Sequence, residues 1–259
     1  MKIAVFGGIG ATAREFAVQA MGAGHYVSWF IHTDDELVDT SLETPAYRDT
    51  IRIVRGSSDI LAKYQETIAG CDAVVVAFDA CCTKPSSWVH QQRLIQTAMR
   101  RVSVQRIIAI TTHGAGDSQR RLDWSTWAKL NVNQVRYILQ GQVDMCWSLV
   151  AQYTAQEAVA INGETLEPRE SDGGSNSSAD SEGENKGTKQ PNSQPLRWTI
   201  LRPGLLTQGP TTGTYLASHD HVFGGYISHG DVADCALKAL EEDMDIGECF
   251  SVAYSARVA

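Results

Sequence analysis

Several things are scarce in this chain, and each scarcity excludes something. No apolar run approaches the ~20 residues that a membrane-spanning helix needs, so no membrane association is expected. Basic residues are outnumbered, 22 Lys and Arg against 30 Asp and Glu, for a formal net charge of −8. A general nucleic-acid binder would show a basic face instead, so no nucleic-acid partner is expected. Part of the imbalance is local. Residues 164–184 hold seven acids and a single base, Arg169. No charged lead and no cleavage site precede the first apolar run, which reads as a cytoplasmic protein without a signal peptide. The six cysteines, Cys71, Cys81, Cys82, Cys146, Cys235 and Cys249, form no Cys-x-x-Cys pair and no zinc-like spacing. They read as reduced, buried thiols. His219-Asp220-His221 lacks an obvious further ligand and reads as surface loop, so no metal is expected.

What is present is a core-forming chain. Its 259 residues are 43% hydrophobic, enough for one large α/β domain. The most informative stretch is its beginning, KIAVFGGIGAT. Residues 2–6 are a short apolar run of strand type. Gly7-Gly8-Ile9-Gly10 follows, and a helix-like segment runs over 11–22. Strand, glycine turn and helix form the first unit of a dinucleotide-binding sheet. Glycines let the backbone approach a pyrophosphate closely, and the helix that follows aims its unpaired N–H groups at that anion. The spacing Gly7-x-x-Gly10-x-x-Ala13 has alanine at its third small position.

The pattern then alternates. Further strands are expected at 25–31, 51–55, 71–78, 105–111, 196–201 and 248–252. Helices are expected at 61–68, 88–101, 142–161 and 232–241, and short strands in 205–227. This alternation predicts a Rossmann-type, doubly wound, mostly parallel sheet with helices on both faces. Residues 163–195 contain almost no large apolar side chain and read as a disordered, low-complexity insertion. The remainder reads as one domain over 1–259, with 205–259 as its substrate-side segment.

With these landmarks the chain resembles the atypical short-chain dehydrogenase/reductase superfamily, in the branch of NmrA-like proteins and flavin or biliverdin-IXβ reductases. The motifs that carry the resemblance are Phe6-Gly7-Gly8-Ile9-Gly10, Ala69-Gly70-Cys71-Asp72-Ala73-Val74, Arg202-Pro203-Gly204 and Ile227-Ser228-His229-Gly230-Asp231-Val232-Ala233. The resemblance implies NADP or NAD as cofactor, bound by Gly7, Gly8, Ile9, Gly10, Ala11 and Thr12. It also implies contacts at His32, Thr33, Ser57, Ala77, Phe78, Thr111 and Pro203. The chain departs from the family at several of these places. His32 stands where relatives carry an arginine for the 2′-phosphate, and Gly56-Ser57 where a Gly-Asp pair reaches the adenine. Asp79 stands where a glycine closes the fourth strand, and its charge would crowd or repel a dinucleotide. Thr112 replaces a serine, and Tyr153 is followed four residues on by Glu157 rather than lysine. Without that lysine the phenol loses the cation that lowers its pKa.

The candidate catalytic residues are Thr112, His113, Asp79 and Tyr153. Thr112 offers a hydrogen bond to a substrate carbonyl, and His113 a proton near neutral pH. Asp79 is either a general base, if buried beside an apolar ligand, or a solvated helix cap. Tyr153 either faces the pocket or packs on its helix. Trp124, Trp127 and Trp147 either wall an aromatic substrate or fill the core. Two function classes stay open. One is an NAD(P)-dependent oxidoreductase for a small, aromatic or carbonyl-containing substrate. The other keeps the fold without hydride chemistry, as a cofactor-independent isomerase or cyclase or as a nucleotide-sensing regulator. A homodimer is compatible with either.

Overall fold

Side chains of the first strand point alternately to opposite faces, and the layers follow from that alternation. In the computed structural model, which describes residues 1–33, 47–79, 85–112, 195–219 and 225–255, β1 (Lys2–Phe6) is followed by α1 (Ala11–Gly22), β2 (Tyr26–His32), β3 (Ile51–Gly56), α2 (Leu61–Ile68), β4 (Ala73–Val76), α3 (Pro85–Arg101) and β5 (Arg106–Ile110). Then come β6 (Arg197–Pro203), β7 (Leu205–Thr207), β8 (Leu216–Ser218), β9 (Tyr226–Ser228), α4 (His229–Glu241) and β10 (Glu248–Ala253). Ile3 and Val5 enter a core shared with Phe16 of α1 and Val232, Ala236 and Leu240 of α4. Ala4 and Phe6 enter a second core with Tyr64 of α2 and Trp88, Ile95 and Met99 of α3. β4 and β5 divide in the same way, which is why both read as continuous apolar runs.

The main sheet has eight strands in the order β3-β2-β1-β4-β5-β6-β10-β8. All pairs are parallel except β8, which runs antiparallel on β10. The expected Rossmann-type architecture is thus the observed one. β7 and β9 form a separate two-stranded parallel sheet. Among the described residues no helix is long and apolar enough to cross a membrane.

Element bounds differ from the sequence expectation where long-range pairing decides them. β2 runs on to His32 because that residue still registers with Gly56 of β3. β4 stops at Val76, opposite Phe6, because β1 leaves the sheet at Gly7 and takes the neighbouring ladder with it. α3 begins at Pro85, three residues early; proline suits a first helical turn, whose N–H groups have no partner within the helix.

On the α2 and α3 side, Phe6, Phe30 and Tyr64 stack, with ring centroids 5.4 Å (Phe6–Tyr64) and 4.9 Å (Phe30–Tyr64) apart. The other half of the sheet is fastened by Arg106. Its buried guanidinium donates to Thr199 Oγ1 (2.8 Å) and the Arg197 carbonyl of β6. It also donates to the carbonyls of Ala239 (3.1 Å) and Met244 (3.0 Å) at the end of α4. A cation there complements the helix dipole.

The expected helix over 142–161, most of the insertion (residues 163–194), Cys81, Cys82, Cys146, Asp220, His221 and the three tryptophans 124, 127 and 147 lie outside the described residues.

Candidate functional site

Strand order reverses between β1 and β4. One neighbour leads outward through β2 and β3, the other through β5 and β6. In open α/β sheets the crevice at such a switch point, beyond the carboxyl ends of the strands, is where ligands bind. Both β1 and β4 leave the sheet there, so the glycine turn and Asp79 meet although they are far apart in sequence.

The turn is built against β4. A Cβ placed on Gly7 would lie 2.3 Å from the Ala77 carbonyl oxygen, so only glycine lets the two backbones come this close. Gly8 has φ of +58°, in the left-handed region. The Gly10 amide donates back to the Gly7 carbonyl at 3.3 Å. From below, the buried Trp29 of β2 donates its indole N–H to the Gly8 carbonyl at 3.0 Å. Gly10 is the residue before α1 and has no side chain with which to cap it; the first turn, Ala11-Thr12-Ala13, carries no acid. Its N–H groups and dipole therefore face the crevice with no acid supplied from the helix's own first turn.

α4 starts beside α1 and is finished differently. Ser228 caps it, its Oγ accepting the Asp231 amide at 3.0 Å. The buried Asp231 carboxylate accepts five donors: the amides of Thr212 and Gly213, the hydroxyls of Thr212 and Ser228, and the phenol of Tyr254. Burial acts to raise its pKa, but the hydrogen bonds outweigh it and hold the carboxyl below its ordinary range. The start of α4 is joined to α1 at two points, one near the start of α1 and one in its second half. Gln19 Nε2 donates to the Gly230 carbonyl at 2.9 Å, and Thr12 Oγ1 lies 2.8 Å from His229 Nδ1. Burial pushes the half-buried His229 down, against an opposing pull from Asp79 and Glu15. A cavity of about 160 Å³ opens between them, lined by Ala11, Arg14, Gln208, Thr211 and His229 among others.

Asp79 lies directly over this turn. A Cβ on Gly10 would come within 2.7 Å of the Asp79 Cβ and 3.5 Å of its Oδ2. The aspartate therefore sits at the start of α1, not out in solvent.

Along the edge on the β2 side, His32 is half-buried and registers with Gly56, Thr33 donates its amide to the Gly56 carbonyl at 3.1 Å, and Ser57 follows. These three stand together at the end of the β2–β3 pair. On the other side Ala77 and Phe78 are buried, and Phe78 stacks on Trp88 at 6.1 Å. Thr111 is buried with its hydroxyl donated to the Leu201 carbonyl at 2.9 Å, so its side chain ties β5 to β6. Thr112 is half-buried just past β5, and Pro203 is buried opposite Val252. The crest of the sheet thus brings together the glycine turn, Asp79, Thr112 and Pro203. His113 and Tyr153 lie outside the described residues. Of the described thiols, burial pushes Cys71 up to about 11 and Cys235 up to about 12, so neither is a nucleophile near neutral pH.

Three residues near the site were not singled out from sequence. Trp29 reads as an ordinary strand residue, and Tyr254 lies beyond the last expected strand. His229 stands in sequence only as one residue of the motif 227–233, with no role of its own. Ser228-x-x-Asp231 is a cap signature that finds the start of α4, but not what its carboxylate holds.

Compared with known proteins, the sequence matches the family model described as NAD(P)H-binding over residues 7–145 and 178–243. The chain belongs to that family. The cofactor expected from sequence, NADP or NAD, is the family's own. No curated protein matches the sequence. Among solved structures it is similar to ChuY, an anaerobilin reductase from Escherichia coli O157:H7, at 14% identity and a TM-score of 0.69, covering all of both chains. A short-chain dehydrogenase/reductase from Veillonella parvula, in complex with NADP, gives 14% identity and 0.68, covering 98% of this chain and 95% of that one. The oxidoreductase YlbE from Lactococcus lactis gives 16% and 0.65, covering 98% and 91%. At these identities the likeness speaks for the fold.

Proposed function

We propose that the protein is an NAD(P)-dependent oxidoreductase acting on a small substrate, aromatic or carbonyl-containing. The observation that carries this reading is the start of α1, a tight glycine turn braced by Trp29 and β4 and leading into a helix whose first turn carries no acid. That arrangement suits a diphosphate. The names of the similar structures, two reductases and an oxidoreductase, support the same class.

On this reading Gly7, Gly8, Ile9, Gly10, Ala11 and Thr12 hold the diphosphate. His32, Thr33 and Ser57 face the adenosine ribose, and Ala77, Phe78, Thr111 and Pro203 border the nicotinamide. The bound nicotinamide supplies or accepts the hydride. Thr112 orients a substrate carbonyl by hydrogen bonding, His113 exchanges the accompanying proton, and Tyr153 adds a second hydroxyl. Asp79 is the charged group nearest the turn. Residues 205–259 form the substrate side of a single domain, to which 163–195 is an insertion.

The test is a thermal-shift titration with NADPH and with NADH, followed by turnover assays on a flavin, a quinone, a linear tetrapyrrole and an aromatic aldehyde. At least one nucleotide is expected to raise Tm, and one substrate class to oxidise it. His113→Ala is expected to lower kcat by about 10²-fold, the usual scale for losing a general acid or base, while leaving nucleotide Kd unchanged. If neither nucleotide stabilises the protein, the reading fails. Asp79 also favours a second reading, because a carboxylate at the turn suits a chain that has kept the fold and given up hydride transfer. An isomerase, a cyclase or a nucleotide-sensing regulator would show no nicotinamide oxidation with any substrate.

A further inference from the structure

The start of α1 and the end of β4 cannot both be occupied by negative charge without cost. The Asp79 Cβ lies 2.7 Å from where a side chain on Gly10 would begin, and its Oδ2 3.5 Å from the same point. The carboxylate is thus held over the residue that precedes α1, where the N–H groups of the first turn are aimed. The neighbouring cavity is lined by the charged Arg14 and Glu15 of α1 and by His229 of α4, and His229 feels the charges of both Asp79 and Glu15. Burial pushes the pKa of the half-buried His229 down, against the pull of Asp79 and Glu15. A diphosphate entering the turn meets this carboxylate inside a half-buried crevice, where like charges repel far more than in water.

We propose that Asp79 is an affinity-setting residue that competes with the cofactor diphosphate for the start of α1 and keeps nucleotide binding weak. The proposal rests on the cofactor reading above and goes beyond it by assigning Asp79 a role against the ligand, not in the chemistry. Because the diphosphate is common to both cofactors, the effect is the same for NADPH and NADH. It leaves the choice between them to the β2 edge, where His32, Thr33 and Ser57 stand. Charge and bulk contribute separately. Asparagine keeps the shape and removes the charge, whereas glycine removes both.

The experiment is calorimetric titration of the full-length wild type, Asp79→Asn and Asp79→Gly with NADPH, NADH and ADP at low ionic strength. Circular dichroism and Tm of each protein confirm that it is folded. Asp79→Asn is expected to bind all three ligands at least tenfold more tightly than wild type, and Asp79→Gly more tightly still. Raising the salt concentration should narrow the wild-type gap, because repulsion between charges is screened. If wild type binds and the folded variants bind no more tightly, the proposal is overturned and the cofactor reading stands. If no folded protein binds any of the three, the cofactor reading falls and takes the proposal with it. A gain for NADPH but none for NADH or ADP also overturns it, since the effect would then lie at the 2′-phosphate.

Discussion

Two helices begin side by side in this protein, and they are finished in opposite ways. α4 is completed from within. Ser228 caps it, and Asp231 in its first turn gathers donors from the 212–213 loop, from Ser228 and from Tyr254 after β10. α1 begins at a bare glycine, with no acid in its first turn. An aspartate stands near both starts, one from the first turn of its own helix and the other from the segment after β4. The difference teaches where to look for a ligand. A helix start that the chain has already satisfied holds the fold together, and one that it leaves to an outside anion points to function.

That contrast can be broken from either side. The largest effect is expected at α4. Asp231→Ala removes a buried carboxylate that accepts five hydrogen bonds and strands their donors, at a cost of about 3 kcal/mol or more. Urea unfolding measures it, and cofactor Kd extrapolated to the folded fraction should change little. The same carboxylate predicts an acid limb. Its folded pKa lies below its unfolded one, so its contribution is complete above the unfolded value of about 3.9. It is lost as pH falls through the lower folded value. Unfolding followed by circular dichroism between neutral pH and acid should show that limb in wild type and a shallower one in Asp231→Ala.

Next comes the glycine turn itself. Gly7→Ala places a methyl 2.3 Å from the Ala77 carbonyl, which is backbone and cannot turn aside. The expected result is a loss of about 2 kcal/mol, typical of overpacking, together with loss of NADPH and NADH binding by calorimetry. A smaller effect is expected one layer below. Trp29→Phe removes the indole N–H from the Gly8 carbonyl and leaves that oxygen short of a donor, at about 1 kcal/mol. Here the ratio sharpens the comparison, because nucleotide Kd should weaken more than the stability loss would suggest. Equal stability losses for Trp29→Phe and Asp231→Ala would erase the distinction between the two helix starts.

What sequence shows of this molecule is what neighbours in sequence decide. The alternation in β1, the glycine turn and the helix after it are local patterns, and each is found where the residues put it; α4 starts three residues earlier than expected, at His229, because Ser228 caps it. The bounds that moved, at His32, Val76 and Pro85, moved where a strand's partner or a proline decides the end. The site was legible as a set of strand ends but not as a geometry. Asp79 reaches Gly10 only because Phe6 and Val76 are in register, so both chains leave the sheet at one level. The reach of Asp231 to Tyr254, of Arg106 to the end of α4, and of Trp29 to Gly8 depends likewise on which strands lie side by side. A hydroxyl such as that of Thr111 reads as a free donor until β6 supplies the carbonyl it serves.

Arg106 carries one more consequence, for how the protein can be lengthened. It binds β5 to β6, whose paired residues Arg106 and Arg197 are 91 positions apart. A flexible segment added to that connection costs little, since each doubling of a flexible loop adds only about 0.6 kcal/mol. A grafted sequence between β5 and β6 should therefore leave the sheet able to close, because the guanidinium and the ladder recognise the strands and not the length of chain between them. The turn from β1 to α1 has no such freedom. One added residue there would shift the first helix by about 100° around its axis and 1.5 Å along it, and Gly10 would no longer lie under Asp79.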